Sequence, residues 1–195
     1  NSGEMIYDKE YLISKYGNKT VVKMGLLPWA IEDTYNNLTD AFKNHNKEKA
    51  MQMIADLGHY IADAHQPMHT VMNYDGQLTN QKGLHSRYEI KMIDGYLLDL
   101  ENSIRIFSPT KIENPQKFFE SIIEASNSFS PIIFDADIFA ATKSDNEHND
   151  LYYKLLWFRT KAMTIDRFEN AIYYLSSLIY SAWIEAEKPK FSEFK

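Results

Sequence analysis

The sequence contains no cysteine, and that one absence excludes disulfides, thiolate metal sites and thiol nucleophiles together. Any metal must be held by histidine, aspartate or glutamate. No run approaches the roughly 18 consecutive apolar residues of a membrane span, and the opening NSGEMIYDKE has no secretory-signal pattern. Stable membrane insertion is therefore not expected. Basic charge is also short: 21 Lys and Arg stand against 27 Asp and Glu, a formal net charge of -6. The basic stripe of a duplex-DNA reader is missing, although a small or single-stranded phosphodiester could still be drawn to a cationic metal centre. Finally, there is no alternating strand pattern, no glycine-rich hairpin series and no internal repeat.

What is present is helical. With 195 residues, 44% of them apolar and 14% aromatic, the chain can build one sizeable core, and a single domain over residues 1–195 is expected. Pro28, Pro115 and Pro131 each stand where a first-turn proline would start a helix. Ile31, Tyr35, Leu38 and Phe42 recur at the spacing of one helical face, and Asn44, His45 and Asn46 break it. The next stretch, about Lys47 to Gln66, is apolar or small nearly all the way round, which predicts a buried helix. Further helices are predicted from near His85 to before Pro109, over about 115–126 and 131–142, and as one long or two consecutive helices from about Asp150 to Glu187. The fold class is all-α, a bundle of six to eight helices. A small sheet around KTVVKM is the weaker alternative.

Four of the six histidines fall in GHYIADAHQPMH (58–69) and GLHSRYE (83–89). His59 and Asp63 are four apart, so on a helix they lie about 40° apart on one face, one turn apart in height. A carboxylate buried in so apolar a helix needs a partner, and no Lys or Arg is near in sequence, so a divalent cation would resolve the cost. His85 and Glu89 repeat the spacing on the following helix. Pro67 should end or kink the first helix and free His69 to leave its register. His69, His85 and Glu89 would then give zinc three protein ligands and an open position, the pattern of a catalytic site, with His59 and Asp63 forming half of a second. His65 is expected in an outer shell or in packing, and His45 and His148, in polar stretches, in solvent. The intervening loop TVMNYDGQLTNQKG is long enough to form a rim, where Asn73, Tyr74, Asp75 and Gln77 could contact substrate.

HYIADAHQPMH followed by GLHSRYE resembles the zinc-dependent phospholipase C and single-strand-specific nuclease superfamily. Its pattern is HxxxDx5H, commonly with QP before the last histidine, then HxxxE or HxxxD after a loop. His59, Asp63, His69, His85 and Glu89 fall on all five positions. The resemblance implies an all-α enzyme with up to three zinc ions in a cleft. It places His59 on the first zinc, Asp63 as a bridge between the first and third, and His69, His85 and Glu89 on the second. It further implies hydrolysis of a phosphodiester substrate by zinc-bound water, no side-chain base being named, and a secreted or periplasmic location. Glutamate at 89 looks more like the bacterial phospholipase branch, so a phospholipase-C-like phosphodiesterase is the leading expectation. The loop NYDGQLTNQKG departs from the double-glycine asparagine loop of the nucleases. The alternatives are a single-strand nuclease, with Tyr74 and Tyr88 as candidate walls for a base, and a non-catalytic metal-binding remnant. The family's upstream ligands, an N-terminal tryptophan, a histidine and a later Asp and His, have no counterpart before His59, where only His45 stands. The chain is therefore expected to be the C-terminal part of a longer protein, with one complete zinc site of its own.

Overall fold

Asp8 accepts a hydrogen bond from the Tyr11 amide at 2.9 Å and so starts α1 (Lys9–Tyr16) in the computed structural model, which describes residues 8–194. Gly17, at φ 80°, ends α1 in a conformation that disfavours a side chain. Next comes α2 (Asn18–Met24), so KTVVKM is helical. Pro28 lies in the first turn of α3 (Leu27–Lys43), whose buried face is Ile31, Tyr35, Leu38 and Phe42 with the small residues between them. His45 at φ 52° turns the chain, and the Asn46 side chain accepts from the Lys49 amide at 2.9 Å to open α4 (Lys47–His65).

Contrary to what its composition predicts, the helix α4 is not buried all round. Met53, Leu57, Ile61 and Ala64 are buried, whereas Met51 is 61% exposed and Ala55, His59 and Ala62 face solvent. Alanine on a solvent face leaves little apolar surface uncovered, so a run of small residues does not by itself demand burial. After α4 come a 3₁₀ turn (Pro67–Thr70), the single turn α5 (Leu84–Ser86), a π-helical turn (Arg87–Met92) and α6 (Ile93–Ser103). The last ends well before Pro109 because the Arg105 amide donates to Glu169 Oε1 at 2.8 Å, and no longer to a helical carbonyl.

One helix, α7 (Pro115–Lys143), replaces the two predicted around Pro131. Proline removes the amide that would bond the Asn127 carbonyl, but the Ser130 hydroxyl donates to that oxygen at 2.9 Å, and the helix continues. The last long helix, α8 (Asp150–Glu185), is continuous. No strand occurs among the described residues, and no helix among them is long and apolar enough to cross a membrane.

Two compact units can be distinguished: residues up to Ile61 with Thr110–Ser121 and the chain from Leu175 on, and Ala62–Pro109 with Ile122–Tyr174. In the first, Ile31, Leu38, Leu57, Phe119 and Leu178 are buried. There the Tyr35 hydroxyl donates to Glu185 at 2.8 Å, and the Ser177 and Ser181 hydroxyls accept the Thr110 and Ile112 amides of an irregular segment at 3.1 and 2.8 Å. In the second, Met68, Leu84, Tyr88, Met92, Tyr152 and Leu156 belong to one core. Each such side chain contributes roughly 1.5–3 kcal/mol when buried.

Candidate metal centre

Pro67 stops α4 at His65, leaving Gln66 extended, and the Gln66 side chain accepts from the Met68 amide at 3.1 Å. The chain re-enters as a 3₁₀ turn that carries His69 out of the register of α4. Its far end is held by Asn127, whose side-chain amide donates to the Thr70 carbonyl at 2.7 Å.

The loop that follows is knit to itself. Asn73 accepts from the Leu78 amide at 2.7 Å and donates to Thr79 at 2.9 Å, while Gln77 accepts from the Asp75 amide and donates to the Met72 carbonyl. Gly76 has φ 72°, and a Cβ there would stand 2.6 Å from the Gln81 carbonyl oxygen, so the loop can close only on glycine. Asp75 in turn accepts from the His85 amide at 3.3 Å. Asn73 and Asp75, expected as substrate contacts, serve in the structure in loop architecture and in seating His85. Tyr74 is different: its ring is 55% exposed and lies edge-on to the His85 ring at 6.4 Å.

Beneath the loop lies a buried polar hub that the sequence reading did not identify. The Arg87 guanidinium meets Asp137 at 2.9 Å and donates to the Tyr152 hydroxyl at 2.9 Å and to the carbonyls of Gln81 and Lys82 at 3.0 and 2.9 Å. Tyr152 donates to the same Asp137 oxygen, and Gln81 to the other at 2.8 Å. Burial opposes the charge on Arg87, yet its bonds to Asp137 and Tyr152 hold its pKa above the ordinary value; burial, then Asp137, push the Tyr152 phenol up. The signal was the arginine in GLHSRYEIKM and the second of the two aspartates in the otherwise apolar PIIFDADIF, opposite charges that called for each other.

His85 sits on α5 and Glu89 in the π turn. His69 Nε2 is 3.1 Å from His85 Nε2 and 3.5 Å from Glu89 Oε2, the His85 and Glu89 groups touch, and the three ligand atoms lie within 4.8 Å of one another. Ligands of a tetrahedral zinc at about 2.0–2.1 Å stand about 3.3 Å apart, so the two separations from His69 and the donor set fit the ion, with the His85 and Glu89 groups drawn together. The side chains of His69, His85 and Glu89 are 25%, 27% and 39% exposed, so the cluster is reachable from solvent. Asp63 does not join the three; its Oδ1 is 3.1 Å from His69 Nδ1, on the opposite side of that ring. There it fixes the tautomer that presents Nε2 to an ion. The half-buried Asp63 thus has a histidine partner that sequence spacing did not offer.

The hydrogen bond with His69 foremost, against the opposing effect of burial, holds the Glu89 carboxyl down to about 2. The same bond is the main reason that the His69 imidazole is raised. His59 is exposed on the first unit's stretch of α4, its ring 5.7 Å from that of Tyr60. His65 is buried with its ring 5.3 Å from Tyr174, as packing requires. His148 is exposed, but His45 is half-buried, 3.5 Å from Glu193 and edge-on to Phe194, and so is not the solvated residue expected. Tyr88 is buried with its hydroxyl 2.9 Å from Thr164, and burial pushes its phenol up to about 12. No family model, curated protein or solved structure matches this chain, so the centre stands on its own residues.

Proposed function

We propose that this protein is a zinc-dependent phosphoester hydrolase, a phosphodiesterase of the phospholipase C kind, with a fold related to the superfamily that its HxxxDx5H and HxxxE motifs resemble. The observation that carries this reading is the convergence of His69, His85 and Glu89 at ligand spacing, open to solvent, with Asp63 behind His69. Bound there, zinc would supply Lewis-acid polarisation of a phosphoryl oxygen and bring the acidity of water near neutrality. The chain's part is to hold and orient. Asp63 keeps His69 Nδ1 protonated, and the Asp75 carboxylate and the Arg87 hub fix the segment that bears His85 and Glu89. On this reading one ion per chain is expected, held by His69, His85 and Glu89.

A second reading, a single-strand nuclease, is favoured by Tyr74, an exposed ring beside His85 on which a base could stack. The test begins with zinc content and hydrolysis of bis(p-nitrophenyl) phosphate. Wild type should retain one zinc and turn over the ester, and His85→Ala should lose both. Turnover that survives His85→Ala would sink the proposal, and zinc retained without turnover would leave a non-catalytic metal protein. Relative rates on phosphatidylcholine vesicles and single-stranded DNA then separate the two hydrolases, Tyr74→Ala slowing only the second.

A further inference from the structure

Beside the metal centre, within the second unit, lies a cleft of ≈ 170 Å³ whose wall includes both Asp63 and Glu89. Ile93, Phe168 and Ala171 make much of the remaining lining apolar, and one cation, Arg167 of α8, lines it as well. Arg167 is only 9% exposed, and its guanidinium lies over the Phe129 ring, 4.7 Å from the centroid. Nε and Nη2 both serve one oxygen of Asp166, at 3.0 and 2.6 Å, which leaves the Nη1 amine for a ligand. A guanidinium preset by ring stacking and an ion pair loses little freedom on taking a phosphoryl oxygen. At this volume the cleft is smaller than the roughly 300 Å³ of pockets for drug-sized molecules, so it takes a compact apolar group and not a whole acyl chain.

We propose that this cleft is the substrate subsite for a phosphoester or phosphonate bearing a compact apolar group, its anionic head between the metal-bearing triad and Arg167. The inference rests on the metal reading above. Without a divalent ion, Asp63 and Glu89 repel the anion; with one, their charge is offset, and the anion meets the ion on one side and the Arg167 Nη1 on the other.

Calorimetric titration of phenylphosphonate and methylphosphonate into zinc-loaded and zinc-free protein tests it, with zinc content measured for every variant. Phenylphosphonate should bind the loaded wild type at least about tenfold more tightly than methylphosphonate. Arg167→Met should weaken both by about 10- to 100-fold with zinc content unchanged, and Arg167→Lys should restore part of the loss. Ala171→Phe, which fills the cleft and leaves the cation in place, should erase the phenyl preference; this variant keeps the proposal testable should Arg167→Met fail to fold. Zinc-dependent binding that neither Arg167→Met nor Ala171→Phe alters overturns the subsite and leaves the metal reading intact. Binding that needs Arg167 but ignores zinc overturns the placing of the head beside the triad, and the zinc content of the same sample decides the metal reading separately. No phosphonate binding by zinc-loaded wild type overturns the subsite.

Discussion

His69 and Glu89 define a pH window for the protein stripped of metal. Glu89, lowered from its ordinary 4.5 to about 2, adds stability above pH 4.5 that is lost as pH falls toward 2. His69, raised above its ordinary 6.5, adds stability below that value that is lost as pH rises through its folded-state pKa. The pair therefore acts fully between about pH 4.5 and 6.5. In chelator, the melting temperature of wild type should exceed that of Glu89→Gln most within this window, and the gap should narrow on both sides. A gap that does not change with pH would show that the pair is not coupled. Zinc reverses the upper limb, since it takes the deprotonated imidazole and its stabilisation grows with pH. Asp63 gives a second prediction. As the group that orients His69, its replacement in Asp63→Asn should weaken zinc by about 10- to 100-fold in competition with a chromophoric chelator while one ion still binds. If Asp63 instead bridged two ions, as the family resemblance implies, the number of ions bound would fall. The triad was legible because the four-residue spacing of His85 and Glu89 survives in the folded chain. The contact of Asp63 with His69 was not, because it depends on the path of a 3₁₀ turn after Pro67.

At the scale of elements, the centre depends on a segment that is not a regular helix. The HSRYE motif runs from the single turn α5 into the π turn, and π turns are rare and concentrate at functional sites. What holds this one is the hub: Arg87 reaches back to the loop carbonyls of Gln81 and Lys82 and forward to Asp137 on α7 and Tyr152 on α8. Asp137→Ala should destabilise the protein by about 3–5 kcal/mol, because it strands a guanidinium that is 7% exposed. It should also weaken zinc, although Asp137 belongs to the hub and not to the triad; urea titration with and without zinc checks both. A stability loss with unaltered zinc affinity would separate the hub from the site. Helix identity was legible here, since apolar spacing marked each long helix. Boundaries were less so: Ser130 carries α7 past Pro131 and Glu169 draws Arg105 out of α6, and both effects turn on side-chain partners that periodicity does not register.

For the molecule as a whole, the absence of alternating apolar patterning and of a glycine-rich hairpin series correctly pointed to helices alone among the described residues. The division into two units was not legible, because the first unit's chain returns at Thr110 and again at Leu175 with no change of composition to announce it. That division shapes the response to metal. Asp63, His69, His85 and Glu89, the hub and the cleft all lie in the second unit. Zinc at about 100 times its dissociation constant adds about 2.7 kcal/mol to the state that binds it. For a chain of this size that corresponds to a rise in melting temperature of roughly 5–11 °C. The gain belongs to every opening that breaks the centre and to none that leaves it whole. Hydrogen exchange should therefore slow on zinc addition across residues 62–92 and at the amides of α7 and α8 around Asp137 and Tyr152. Amides that exchange by local opening in residues 8–43 should keep their rates. Equal slowing across both units would mean that the chain opens as one cooperative body, and slowing confined to residues 8–43 would place the ion somewhere other than His69, His85 and Glu89.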